Sequence, residues 1–202
     1  MKIAILVEGA TEVAFREKLR EFLQSRLEQK MPRLDFKPQH GGIPKEKKLK
    51  LIVENFLDND GYDAVIVLTD VYTGKQDFKD ANYAKEKMMI WVDKNPKFYP
   101  HTALHDFEAW LLPYWKTIQK RAKHNRSAPS GSPETVNHQK PPSYWIKEIF
   151  STGQCRRDYN KVIDGVAILK DNDLMIAIKA CPELKAFVNR IISLCDEDKI
   201  IS

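Results

Sequence analysis

Two short apolar runs, each closing on an acid, constrain this chain more than any other feature. Ile3-Ala4-Ile5-Leu6-Val7 runs directly into Glu8-Gly9, and Ala64-Val65-Ile66-Val67-Leu68-Thr69 runs into Asp70. Neither run alternates apolar with polar residues. Each therefore suits a strand buried on both faces, as in a parallel sheet covered by helices. Open sheets of that kind carry their chemistry at the carboxyl ends of the strands, where both acids fall. Glu8 and Asp70 are thus expected at one edge of the sheet. A loop residue or helix cap explains one such acid well, but two less easily.

The segments between the runs supply helices. Gly9 permits a tight turn, Thr11 suits an N-cap, and Glu12 suits the first turn of a helix. Val13, Phe15, Leu19, Phe22, Leu23 and Leu27 recur at helical spacing over residues 11–28. Leu34 to Lys37 reads as a short strand, Pro44 to about Leu57 as a second helix, and Asn82 to Val92 as a third. Strand and helix in alternation give an α/β fold with a small, mainly parallel sheet. Lys97 to His101 is expected as a fourth short strand. Leu104, Phe107, Leu111 and Leu112 then predict a helix across 101–112, with His105 and Glu108 on neighbouring faces. His105 would orient Glu108 or a water there, or simply be hydrogen-bonded near a helix start; His101 carries the same two readings. Trp110 and Trp115 read as core or interface residues.

Residues 126–142 are rich in Pro, Gly and Ser and read as a loop. They divide an α/β domain, 1–125, from a helical C-terminal extension, 143–202, packed on the same core. Helices are expected there at about 143–150, 159–169, 174–180 and 182–194.

Composition narrows the function classes. No apolar stretch approaches the roughly 18 residues of a membrane span, so no membrane association is expected. The N-terminus enters a strand directly, so no signal peptide is expected either. Cys155, Cys181 and Cys195 lack C-x-x-C spacing, which points to free thiols in the cytoplasm and away from zinc. Glycine-rich nucleotide loops are absent from the sequence. The net charge of +5 is unevenly spread, with clusters at Lys45, Lys47, Lys48, Lys50 and at Lys116, Lys120, Arg121, Lys123, Arg126. Both clusters suit a phosphate backbone, and both equally suit solvated helix faces.

Glu8, Asp70 and Glu108, with Glu12 as a fourth, form the candidate site. Carboxylates gathered without cationic side chains need a cation, and hard oxygen ligands select Mg²⁺ or Mn²⁺. Phosphodiester transfer is the reaction such a centre serves.

The sequence V-E-G-A-T-E, 7–12, resembles the opening motif of the Toprim domain. More narrowly, it resembles the DUF4276 family, which is related to the Toprim part of OLD-family nucleases. H-D-F-E-A-W-L-L at 105–112, Y-N-K-V-I-D-G-V at 159–166 and C-P-E-L-K-A-F-V at 181–188 resemble further stretches of that family. The resemblance implies a Toprim-like (Rossmann-like) fold and Mg²⁺- or Mn²⁺-dependent cleavage of DNA or RNA. It places Glu8 as the first-motif glutamate, Glu12 as the second acid, and Asp70 as the first aspartate of a D-x-D pair. The chain departs at Tyr72, where the pair expects an acid. Either Glu108 replaces that ligand, or catalysis is weakened. Lys161 would stabilise charge on phosphate, as a late lysine does in related nucleases, or is simply an exposed helix lysine. Tyr72, His105, Lys116, Lys120 and Arg121 are the candidate substrate contacts. Nucleic acid is the expected partner, and a separate ABC-type ATPase subunit, a homo-oligomer and a role in phage defence stay open. Two alternatives stand: a Toprim-fold adaptor with a weakened site, and a phosphotransferase with Asp70 as nucleophile.

Overall fold

The computed structural model describes residues 1–39, 41–71 and 78–202, the side chain of Ala10 apart. Four parallel strands form one sheet: β1 (Lys2–Val7), β2 (Arg33–Pro38), β3 (Ala64–Val71) and β4 (Phe98–Leu104), in the order β2-β1-β3-β4. The two apolar runs are the two central strands. Their residues alternate between faces: Ile3, Ile5, Val7, Ala64, Ile66 and Leu68 enter one core, and Ala4, Leu6, Val65 and Val67 the other. Burial on both faces is why neither run alternates in polarity. β4 is an edge strand, which tolerates Pro100 because one side of the strand needs no ladder partner.

Helices α2 (Glu46–Glu54) and α3 (Ala81–Trp91) cover one face, through Leu49, Val53, Ala84 and Met88. The other face is larger. Helix α1 (Ala10–Leu27) packs Phe15, Leu19 and Leu23 there. Beside it lie a 3₁₀ helix (Phe107–Tyr114), α4 (Trp115–Ala122), α5 (Pro142–Thr152), α6 (Lys161–Lys170), α7 (Leu174–Ala180) and α8 (Pro182–Cys195). Trp110 and Trp115 are both buried in this core, and Trp110 stacks on Phe187 of α8.

One expectation is corrected. Residues 101–104 belong to β4, not to a helix, and the helix that follows is 3₁₀ over Phe107–Tyr114. The apolar spacing there came from a buried strand meeting a buried short helix, which periodicity alone cannot separate. Residues 126–142 are irregular up to the start of α5 apart from a 3₁₀ turn at Pro133–Thr135, and Glu134 within that turn is buried. Its carboxylate accepts the Trp110 indole N–H at 3.0 Å and the backbone N–H groups of Glu183 and Leu184 at 2.9 and 3.3 Å. It thereby caps the first turn of α8 from outside that helix. The three cysteines are free.

Candidate functional site

The order β2-β1-β3-β4 reverses direction between β1 and β3, and the carboxyl ends of those two strands flank the switch point. Glu8 follows β1, and Asp70 is the penultimate residue of β3. Glu8 Oε1 accepts the Asp70 backbone N–H at 2.9 Å and the Thr69 hydroxyl. Two donors thus fix the Glu8 carboxylate against the neighbouring strand. Glu12, in the first turn of α1, is buried and accepts the Gly9 N–H at 3.1 Å. This is the reciprocal half of a capping box, so its N-terminal role and its place among the acids coincide.

β4 delivers two more acids. The His105 N–H donates to Val71 O at 3.1 Å, and His105 then adopts φ 62°, a left-handed conformation unusual for a residue with a side chain. That reversal turns the chain from β4 into the 3₁₀ helix and brings Asp106 and Glu108, both fully buried, to the same edge. Asp106 Oδ2 accepts the Ser143 N–H at 3.2 Å, while Oδ1 has no partner among the described residues. Glu108 Oε2 pairs with Lys161 Nζ at 3.1 Å, while Oε1 has no partner of hydrogen-bond geometry among the described residues. His105 is not on a helix face beside Glu108; it is the hinge residue. Its burial lowers its pKa, so the ring stays neutral.

The electrostatics tie these acids into one group. Burial, and then the charges of Glu8, Glu12, Asp106 and Glu108, push Asp70 well above the usual carboxylate range. Burial raises Glu12, opposed by its backbone hydrogen bonds, with Glu8 and Glu108 adding to the rise. Burial raises Glu108 and Asp106 as well; the Asp106 charge adds to the rise in Glu108, while Lys161 draws both back. Lys161 loses by desolvation and gains more from Glu108, Asp106 and Asp70, so its pKa rises. Among the described residues five carboxylates thus face one ammonium, an imbalance that favours a bound cation or retained protons.

The remaining expected residues separate from this group. Arg121 faces the buried Asp164 at 3.5 Å and Asp171 at 3.7 Å, a structural ion-pair cluster completed by the bidentate pair of Arg157 with Asp164 at 2.6 Å. Lys116 and Lys120 are exposed on α4 and, among the described residues, form no ion pair with the acids. Tyr72 lies outside the described residues.

Two members of the site were not singled out from the sequence. Asp106 ends β4 as Glu8 ends β1 and Asp70 ends β3. The signal was present in H-D-F-E but was masked by the helical reading. Tyr159, quoted only within a family motif, is buried against the Glu108 side chain, and burial, then the charges of Glu108, Asp164 and Asp106 and the contact with the Glu108 carboxylate, raise its pKa.

The donor set is all oxygen, which fits Mg²⁺ or Mn²⁺, and the orphaned Oδ1 of Asp106 and Oε1 of Glu108 are lone pairs that such an ion would satisfy. The geometry is not that of a finished centre. Among the described residues no three His, Cys, Asp or Glu side chains are arranged to hold a metal together. The physical reason lies in the hydrogen bonds: Glu8 points at Thr69 and Asp70, and Glu108 at Lys161.

An open parallel α/β domain with its carboxylates gathered at the switch point is the class that this fold and site define. The chain belongs to the DUF4276 family: the model of that domain of unknown function matches residues 7–192. No curated protein matches the chain. Among solved structures it is similar to the C-terminal region of the Burkholderia pseudomallei OLD protein, at 13% identity over 98% of each chain with a TM-score of 0.49. It is also similar to the C-terminal region of the Xanthomonas campestris pv. campestris OLD protein, at 11% identity over 92% of this chain and 95% of that one, with a TM-score of 0.43. Among the described residues no helix is long and apolar enough to cross a membrane.

Proposed function

We propose that this protein is a divalent-metal-dependent nuclease that cleaves phosphodiester bonds in DNA or RNA. The observation that carries the reading is the convergence of Glu8, Asp70, Asp106 and Glu108, from three strand ends, on one edge with Lys161 as the cation beside them. Glu8, Asp70 and Glu108 would hold Mg²⁺ or Mn²⁺, with Asp106 Oδ1 as a further oxygen. When bound, the ion supplies a polarised phosphoryl oxygen and a more acidic attacking water. The chain's own residues do the rest. Thr69 and the Asp70 N–H keep Glu8 in place, and Lys161 neutralises charge on the phosphoryl group. Glu12 ties the start of α1 to the same edge.

The resemblance to nuclease-type Toprim proteins adds nucleic acid as partner, a cytoplasmic setting, and a separate ABC-type ATPase or a second copy as candidate subunits in phage defence. A second reading, an adaptor with a weakened site, is favoured by Tyr72 standing where an acid is expected and by the lack of a preformed metal arrangement among the described residues. Asp70 as a nucleophile fits less well, because burial, and then its acidic neighbours, favour its protonated form, and a protonated carboxyl is a poor nucleophile.

The test is Mn²⁺-dependent cleavage of plasmid and single-stranded substrates by purified protein, compared with Glu8→Ala and Asp70→Ala. Cleavage lost in both variants, with circular dichroism unchanged, supports the nuclease. Absence of both Mn²⁺ binding and cleavage in the parent protein favours the adaptor.

A further inference from the structure

The motif Y-N-K-V-I-D-G-V at 159–166 carries an acid that the candidate site does not use. Asp164 lies in the first turn of α6 and is fully buried. Its carboxylate accepts two guanidinium N–H groups of Arg157 at 2.6 Å and the backbone N–H of Asn160 at 2.9 Å. Arg121 of α4 adds its charge at 3.5 Å. Asn160 in turn caps α6, its side chain accepting the Ile163 N–H at 2.9 Å. These bonds close residues 157–164 into a ring at the start of the helix, and Lys161 lies inside it. From there its Nζ reaches Glu108 Oε2 at 3.1 Å. A Cβ built on Gly165 would touch Leu111 Cδ1 at 3.7 Å and the Tyr159 hydroxyl at 3.5 Å, so this first turn already rests on the 3₁₀ helix that bears Glu108.

A buried ion pair is a poor source of stability, since well-packed apolar side chains of similar volume often do as well. What the bidentate fork supplies is direction, because it fixes both the distance and the plane of the carboxylate. We propose that Asp164, clamped by Arg157 and Arg121, is a positioning residue that sets the first turn of α6 so that Lys161 meets Glu108 at the acidic edge. Arg121 then acts from behind the site and not on substrate. The use of Lys161 on a phosphoryl group rests on the nuclease reading; its placement beside Glu108 does not.

A double-mutant cycle on the metal-free full chain tests the placement. Urea midpoints are measured for the parent, Arg157→Met, Lys161→Met and the double variant. The Arg157 side chain is 44% exposed, so its replacement should leave the chain folded. If the clamp positions Lys161, Lys161→Met should lose at least half of its effect on the midpoint once Arg157 is gone. Direct repulsion between the two cations predicts the opposite sign, a larger effect of Lys161→Met in the Arg157→Met background. Arg157→Lys, a cation that does not bridge both carboxylate oxygens, should show a smaller change in the same sense as Arg157→Met. It carries the cycle should Arg157→Met fail to fold. With Mn²⁺ and plasmid substrate, Arg157→Met should lower kcat about tenfold and leave KM within about twofold, the pattern of a contact made in the transition state. A parent that does not cleave overturns the nuclease reading, and the cycle still decides the clamp. Additive midpoints, a coupling of the opposite sign, or an unchanged kcat in a parent that cleaves overturns the positioning role.

Discussion

Glu8 and Asp70, 62 residues apart in the chain, are joined by a hydrogen bond of 2.9 Å from the Asp70 backbone to the Glu8 carboxylate. The bond crosses from the end of one central strand to the next, at the switch point of the sheet. It places one acid where the other's charge is felt. It also makes the geometry of the candidate site a property of the sheet itself.

Thr69 is the second donor to Glu8 and is almost fully buried. Thr69→Val keeps the shape and removes the hydroxyl, leaving a carboxylate oxygen with one donor fewer. A hydrogen bond to a charged group is worth about 1.5–3 kcal/mol, so the urea midpoint should fall accordingly. Cleavage, if the nuclease reading holds, should fall with it while the circular dichroism spectrum is kept.

Among the described residues Lys161 is the cation paired with the acids, and its partner Glu108 is fully buried. Lys161→Met should cost about 1–3 kcal/mol, because Glu108 keeps its desolvation without its counter-charge. The Lys161 side chain is 41% exposed, which holds the cost at the lower end. Lys161→Arg should recover most of the stability, read from denaturant midpoints.

Asp70 is pushed upward by burial and by four neighbouring carboxylates. A native acid with a raised pKa binds more protons than its unfolded counterpart, so its penalty is absent at acid pH and grows as pH rises past the ordinary carboxylate range. His101 and His105, held neutral by burial, act in the opposite direction below about 6.5. The clean measurement is therefore the difference between parent and Asp70→Asn. At neutral pH without metal the variant should be more stable by about 0.5–2 kcal/mol, a gain that vanishes near pH 3. Saturating Mn²⁺ should raise the melting temperature of the parent and leave Asp70→Asn little changed. Equal stability of the two proteins across the pH range would show that the acids do not strain the metal-free fold.

Glu134 holds three donors from two separate elements. Glu134→Ala leaves the Trp110 indole and two N–H groups of α8 unpaired in the interior. The cost should be about 3 kcal/mol or more, with a change in tryptophan fluorescence as α8 loosens. Glu134→Gln, which keeps an acceptor oxygen, should lose less.

The sequence by itself determined the class of sheet and two of the acids at its edge. Unbroken apolar runs leave a strand no solvent face, and a parallel sheet then places Glu8 and Asp70 together whatever the loops do. It also located α1, α7 and α8 closely, because their apolar spacing and the prolines and glycine around them act locally. Only the tertiary structure decided the fate of residues 101–112, where a buried strand and a buried 3₁₀ helix present one apolar pattern, and the backbone reversal at His105 depends on packing around it. For that reason Asp106 stayed hidden while Glu108 was found. Arg121 shows the converse: a basic cluster reads as open to phosphate until Asp164, 43 residues away, is seen to occupy one of its members. Charge is written in the sequence, but its partner is chosen by the fold.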